Sequence, residues 1–102
     1  MENFIYKKEI TNFIDENGRL KQYPVKRKRQ IFVLFYLASK FEANKRYTEQ
    51  EVNQILQEWH VFNDWATLRR DLYDSRFLDR KADGSEYWLE DCQPTLESFG
   101  IV

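Results

Sequence analysis

The stretch from Asp64 to Glu90 constrains the fold most. Asn63 or Asp64 can cap a helix, and Trp65, Leu68 and Leu72 follow at the spacing of one helical face. The chain then runs through Arg76, with no glycine or proline, into Phe77-Leu78-Asp79-Arg80-Lys81. Ala82-Asp83-Gly84-Ser85 separates that segment from Glu86-Tyr87-Trp88-Leu89. Asp83-Gly84 suits a two-residue primed turn, which would pair Lys81 with Glu86 and Arg80 with Tyr87. A short helix feeding directly into a hairpin is therefore expected.

Two more helical patterns precede it. Pro24 fits the first position of a helix, where its missing N–H costs nothing, and the helix is expected to reach about Lys40. Ile31, Leu34, Phe35, Leu37, Ala38 and Phe41 give it one broad apolar face. Val33 and Tyr36 lie on the outer stripe and call for a cover, from the N-terminal arm, the C-terminal tail or a second subunit. Thr48-Glu49-Gln50-Glu51 has the spacing of a capping box and opens a helix over 48–59 with Val52, Ile55, Leu56 and Trp59 inward. Asn53, at the border of that face, is expected to make a polar contact to a neighbouring turn. Upstream, Asn17-Gly18 marks a turn, and Arg19-Leu20-Lys21-Gln22-Tyr23 alternates as a short edge strand able to pair with the hairpin. The expected fold class is α+β, winged helix-turn-helix-like: three helices, a small antiparallel β-hairpin wing and a short N-terminal edge strand. The organisation is an arm and turn over 1–18, a domain over 19–90 and a tail over 91–102. The tail ends Leu96, Phe99, Ile101, Val102 and is too apolar to be free.

With 102 residues, one core is expected, and the 17% aromatic content enlarges it, since each ring buries about 150–250 Å². The single cysteine, Cys92, excludes an internal disulfide, and Met1-Glu2-Asn3-Phe4 does not resemble a secretory leader, so a cytoplasmic protein is expected. The longest apolar run, 31–38, falls far short of the ~20 residues of a membrane span.

The formal net charge is −1, unlike a protein whose whole surface grips phosphate, but the charges are segregated. Arg19, Lys21, Lys26, Arg27, Lys28 and Arg29 are uninterrupted by any acid, whereas 91–102 carries Asp91 and Glu97 unopposed. Lys26, Arg27, Lys28 and Arg29 fall in the first turn of a helix, where the macrodipole disfavours cations by a few tenths of a kcal/mol to about 1. They read either as a phosphate or acidic-partner contact that outweighs this cost or as a solvated charge run. On the third helix, Arg70 has the planar fork that reads guanine, with Thr67 beside it, and Arg80 and Lys81 lie near the hairpin tip where a wing touches backbone. Asp71 and Asp74 on the same outward face, and Asp79, Asp83 and Glu86 on the hairpin, oppose that reading. Candidate nucleic-acid contacts are therefore Lys26, Arg27, Lys28, Arg29, Thr67, Arg70, Arg80 and Lys81, with double-stranded DNA as the partner. The alternative is a protein-interaction or dimerisation module that uses Val33, Tyr36 and the tail against a second copy or a regulator protein.

No enzyme chemistry is expected. His60 and Cys92 are the only residues of their kinds and form no zinc pattern, so His60 reads as a satisfied or exposed histidine. Gly-rich phosphate loops, nucleophile elbows and Asp-rich calcium loops are missing, and no cofactor is implied.

The blocks Tyr47-Thr48-Glu49-Gln50-Glu51-Val52-Asn53-Gln54-Ile55-Leu56, Asp64 to Leu72, Phe77-Leu78-Asp79-Arg80 and Tyr87-Trp88 resemble a bacterial family known as domain of unknown function 2087. Gly18-Arg19-Leu20 and Pro24 with its basic run look like the family's beginning, so the resemblance covers about Phe13 to Leu89. It implies a transcription-associated role, because members occur as small stand-alone proteins or attached to helix-turn-helix regulators. That attachment also fits a sensing, dimerising or protein-binding module.

Overall fold

The computed structural model describes residues 8–101; the Phe4 and Ile5 portion of the arm and Val102 lie outside them. Residues 8–10 are helical and lead into a 3-10 turn, Thr11–Phe13. Then follow α1 (Arg27–Ala38), α2 (Glu49–Glu58), α3 (Trp65–Asp74), the hairpin strands β1 (Leu78–Arg80) and β2 (Tyr87–Leu89), and a 3-10 turn, Glu97–Phe99, in the tail. The fold is α+β, with an antiparallel hairpin.

α1 occupies the centre because it is apolar nearly all round, with Ile31, Phe32, Val33, Leu34, Tyr36, Leu37 and Ala38 all buried. It starts at Arg27, three residues later than Pro24 suggests. Lys26 is extended, and Pro24 is fully buried with its carbonyl accepting from Gln30 Nε2 at 2.8 Å, so the proline anchors the approach to the helix instead of entering it. Val33 and Tyr36 are covered by the chain itself, which removes them as subunit contacts. Tyr36 donates from its hydroxyl to Gly18 O at 2.5 Å and meets Trp59 edge-on. Gly18 has φ +79, and a Cβ there would sit 2.9 Å from Tyr36 Oη, so the expected Asn-Gly turn is also a close approach that only glycine permits.

The 48–59 region follows its sequence signal. Glu51 N donates to Thr48 Oγ1 at 3.1 Å while Thr48 N donates to Glu51 Oε1 at 2.8 Å, which completes the capping box. In the hairpin, Leu78 pairs with Leu89, Asp79 with Trp88 and Arg80 with Tyr87, and Lys81 N donates to Glu86 O, the register expected from the sequence. The turn differs. Gly84 alone takes positive φ and its N–H bonds Lys81 O at 2.9 Å, so four residues span the tip instead of a two-residue primed turn. The Asp83 carboxylate accepts from Ser85 N at 2.9 Å, a local bond that favours this longer loop.

The edge strand does not join the hairpin. Leu20 bridges Ile14 in antiparallel and His60 in parallel sense, so that segment ties the arm to the end of α2. The ribbon's third partner is Tyr47, whose N–H and carbonyl exchange bonds of 2.8 and 2.7 Å with Tyr87.

α3 ends in a Schellman arrangement without glycine. Arg76 sits at φ +71, its N–H bonds Tyr73 O at 3.1 Å, and Phe77 N bonds Leu72 O at 2.9 Å. Phe77 is thereby driven into the core. Its ring meets Phe35 of α1 edge-on at 4.9 Å and stacks on Phe99 of the tail at 5.9 Å. Ile10 from the arm is likewise fully buried, so both flanks contribute to one core. Phe77→Ala is expected to lower unfolding free energy by about 3–5 kcal/mol, read as the shift of a urea denaturation midpoint.

Candidate nucleic-acid interface

α3 is held at both ends. At its start, Asp64 Oδ1 accepts from Thr67 N at 3.4 Å, and Asp64 N donates to His60 Nε2 at 2.9 Å. His60 Nδ1 lies 2.5 Å from Leu56 O, so that nitrogen carries the proton and the buried ring bridges the turn between α2 and α3. Toward its end, Tyr23 donates from its hydroxyl to Asp71 Oδ2 at 2.6 Å. Arg27 reaches across from α1, donating to Ser75 Oγ at 2.8 Å and standing 4.0 Å from Asp71. Burial, reinforced by the hydrogen bond and negative charge of Asp71, pushes the Tyr23 phenol well above its ordinary 10.0.

These contacts sort the candidate cations. Arg70 and Arg80 converge on one depression of about 360 Å³ between α3 and the hairpin. Arg69, Tyr73 and Asp74 of α3, Glu49 of α2 and Tyr87 of β2 complete its lining. Arg70 is exposed and has no ion-pair or hydrogen-bond partner among the described residues. Arg80 lies 4.8 Å above the Tyr73 ring, and Arg69 donates to Asn53 Oδ1 while its Nε stands 3.9 Å from Glu49 Oε1. Asn53 thus makes the polar contact its position suggests, though to α3 instead of to a turn. Thr67 lies half-buried nearly one turn before Arg70.

The remaining candidates lie elsewhere. Lys26 and Arg29 border a separate shallow patch with Phe13, Gln22, Pro24 and Val25. Arg29 leans over Phe13 at 5.8 Å, Lys28 is exposed, and Arg27 is committed to α3. Lys81 stands 3.8 Å from Glu86, whose carboxylate also faces Arg46 at 3.9 Å. Arg46 in turn stacks on Trp88 at 3.9 Å.

Sequence reasoning found Arg70 and Arg80 but not Arg69, Tyr73 or Glu49 as parts of one site. Tyr73 stands three residues from Arg70 and four from Arg69, which places it beside both on α3, a signal present in the sequence; Glu49 comes from another helix and carries none. The described residues hold no group of three or more His, Cys, Asp or Glu placed to bind a metal ion, and no helix long and apolar enough to cross a membrane. Cys92 is exposed on a different groove of about 480 Å³ between the end of α3 and the tail.

An α+β chain with an arginine-lined cleft between a helix and a ribbon is the class that fold and site define. The chain belongs to the family described as "uncharacterized protein conserved in bacteria (DUF2087)", whose model matches residues 19–89. Neither the curated proteins nor the solved structures contain a match to it.

The Tyr23 contact carries a pH prediction. A phenol whose folded pKa is raised stabilises the fold fully below its unfolded value of about 10 and loses that contribution as pH rises above it. Melting temperatures measured from about pH 8 to 11 should fall more steeply for the wild type than for Tyr23→Phe.

Proposed function

We propose that this chain is a small nucleic-acid-binding module of the winged helix-turn-helix kind, acting in bacterial transcription regulation, with α3 presented to duplex DNA and the hairpin beside it as a wing. The observation that carries the reading is the convergence of Arg70 and Arg80 on one cleft, with Arg70 exposed and unpaired among the described residues. The order α1, Tyr47 bridge, α2, α3, hairpin supports it, since a helix pair followed by a ribbon held to the preceding loop suits insertion of one helix into a groove. Arg70 would read a guanine edge with Thr67 alongside, and Arg80 would hold the adjacent phosphate. Lys26, Lys28 and Arg29 at the start of α1, and Lys81 near the tip, would serve as flanking phosphate contacts. Arg27 would act differently, by fixing α3 through Ser75 and Asp71.

One observation favours a protein-contact role instead: two carboxylates, Glu49 and Asp74, line the same cleft. A groove of mixed charge suits a peptide or a second copy of the chain that carries both signs, and in that case the protein would sediment as a dimer or complex and pass through a DNA column.

Retention on duplex DNA at about 50 mM salt, falling steeply toward about 200 mM, is the expected result, and no retention would defeat the nucleic-acid reading. Arg70→Ala should cost about 1–3 kcal/mol of affinity for a preferred sequence. Arg80→Ala should flatten the slope of log affinity against log salt by about 0.9, whereas Arg27→Ala should lower the melting temperature and leave that slope unchanged.

A further inference from the structure

The cleft between α3 and the hairpin holds its own anion. Glu49 is the first residue of α2, yet its carboxylate is turned toward α3 and β2: Oε1 stands 3.9 Å from Arg69 Nε and accepts from Tyr87 Oη at 3.5 Å. The hairpin turn closes over the same place, since a Cβ at Gly84 would lie 3.2 Å from Arg80 Nη1 and 3.8 Å from Glu49 Oε1. We infer that the Glu49 carboxylate is a built-in counter-ion that occupies and weakens a phosphate-binding cleft formed by Arg69, Arg70 and Arg80.

The geometry suits a contact that gives way. The Arg69–Glu49 pair is long, and the Glu49 side chain is 49% exposed, so water screens it and little is lost when it separates. Arg69 is also held by its bond to Asn53, which does not involve Glu49 and aims the side chain at the cleft. Three guanidiniums facing Glu49 and Asp74 leave the site only weakly positive, whereas removal of the Glu49 charge frees Arg69 to act with Arg70 and Arg80 on one phosphate. Glu49 therefore sets a threshold: phosphate groups presented in series displace it, and an isolated monoanion does not. The inference rests on the proposed nucleic-acid reading only for the identity of the polyanion.

Glu49→Gln keeps the shape and the hydrogen bond from Tyr87 but removes the charge. Glu58→Gln, on the same helix and outside the cleft, is the charge-matched control. Binding of a short mixed-sequence duplex and, separately, of inorganic triphosphate is measured for the wild type and both variants, each checked for folding by thermal melting. Glu49→Gln should bind about three- to tenfold tighter than wild type, with a salt slope steeper by about 0.9, while Glu58→Gln stays within about twofold of wild type. Unchanged or weaker binding by Glu49→Gln overturns the inference, as it would if the side chain only organises Arg69 or favours the α2 dipole. An equal gain in Glu58→Gln overturns it too, as a general charge effect. A gain toward triphosphate with no duplex binding by any form supports the counter-ion and defeats the nucleic-acid reading. Duplex binding with no gain in Glu49→Gln does the reverse.

Discussion

Phe77 enters the core three residues after the last residue of α3, and the rest of the molecule is arranged around that entry. Its ring joins Phe35 of α1 to Phe99 of the tail, so one side chain fastens the central helix, the end of α3 and the C-terminal segment. The backbone has to turn sharply to deliver it. Arg76 takes the left-handed conformation at a cost on the order of 1 kcal/mol for a residue with a Cβ. The two Schellman hydrogen bonds and the fully buried ring offset that strain. Because the turn is rigid, β1 leaves α3 at a fixed angle, and the cleft between helix and ribbon follows from it.

Local chemistry made much of this legible from the chain alone. Thr48 and Glu51 announce α2, the pair Asn63-Asp64 announces α3, with Asp64 the one that caps it, and the alternation across Asp83-Gly84 sets the ribbon's register, because each signal is completed within a few residues. Where the reading went astray, a distant partner decided. Pro24 looks like a helix start but is buried as an anchor bonded through Gln30. Leu20 alternates like a hairpin neighbour yet bridges Ile14 and His60, and Tyr47, which carries no strand pattern of its own, takes the place beside Tyr87. Arg76 lacked the glycine that normally marks a left-handed cap.

The candidate site was half legible for the same reason. Arg70 and Arg80 could be singled out as cations on a helix face and near a ribbon tip, but their meeting with Arg69 and Glu49 depends on how α2 and α3 pack. Tertiary contacts also divided the basic run at the start of α1. Arg27 is drawn into a polar network with Ser75, Asp71 and Tyr23, while Lys26 and Arg29 border a patch of their own. A weakly acidic chain can thus hold a local concentration of guanidinium groups, since burial, pairing and helix face decide which charges reach a ligand and which brace the fold.

Tyr87 has a double attachment. Its backbone exchanges two hydrogen bonds with Tyr47, at the threshold of α2, and its phenol reaches Glu49 one step further along the same segment. The ribbon is therefore not a free-standing flap but a beam fixed at Tyr47 and steadied at Glu49. The backbone bonds to Tyr47 set where β2 lies against the opening of α2, while the long contact from the phenol leaves the carboxylate room to move.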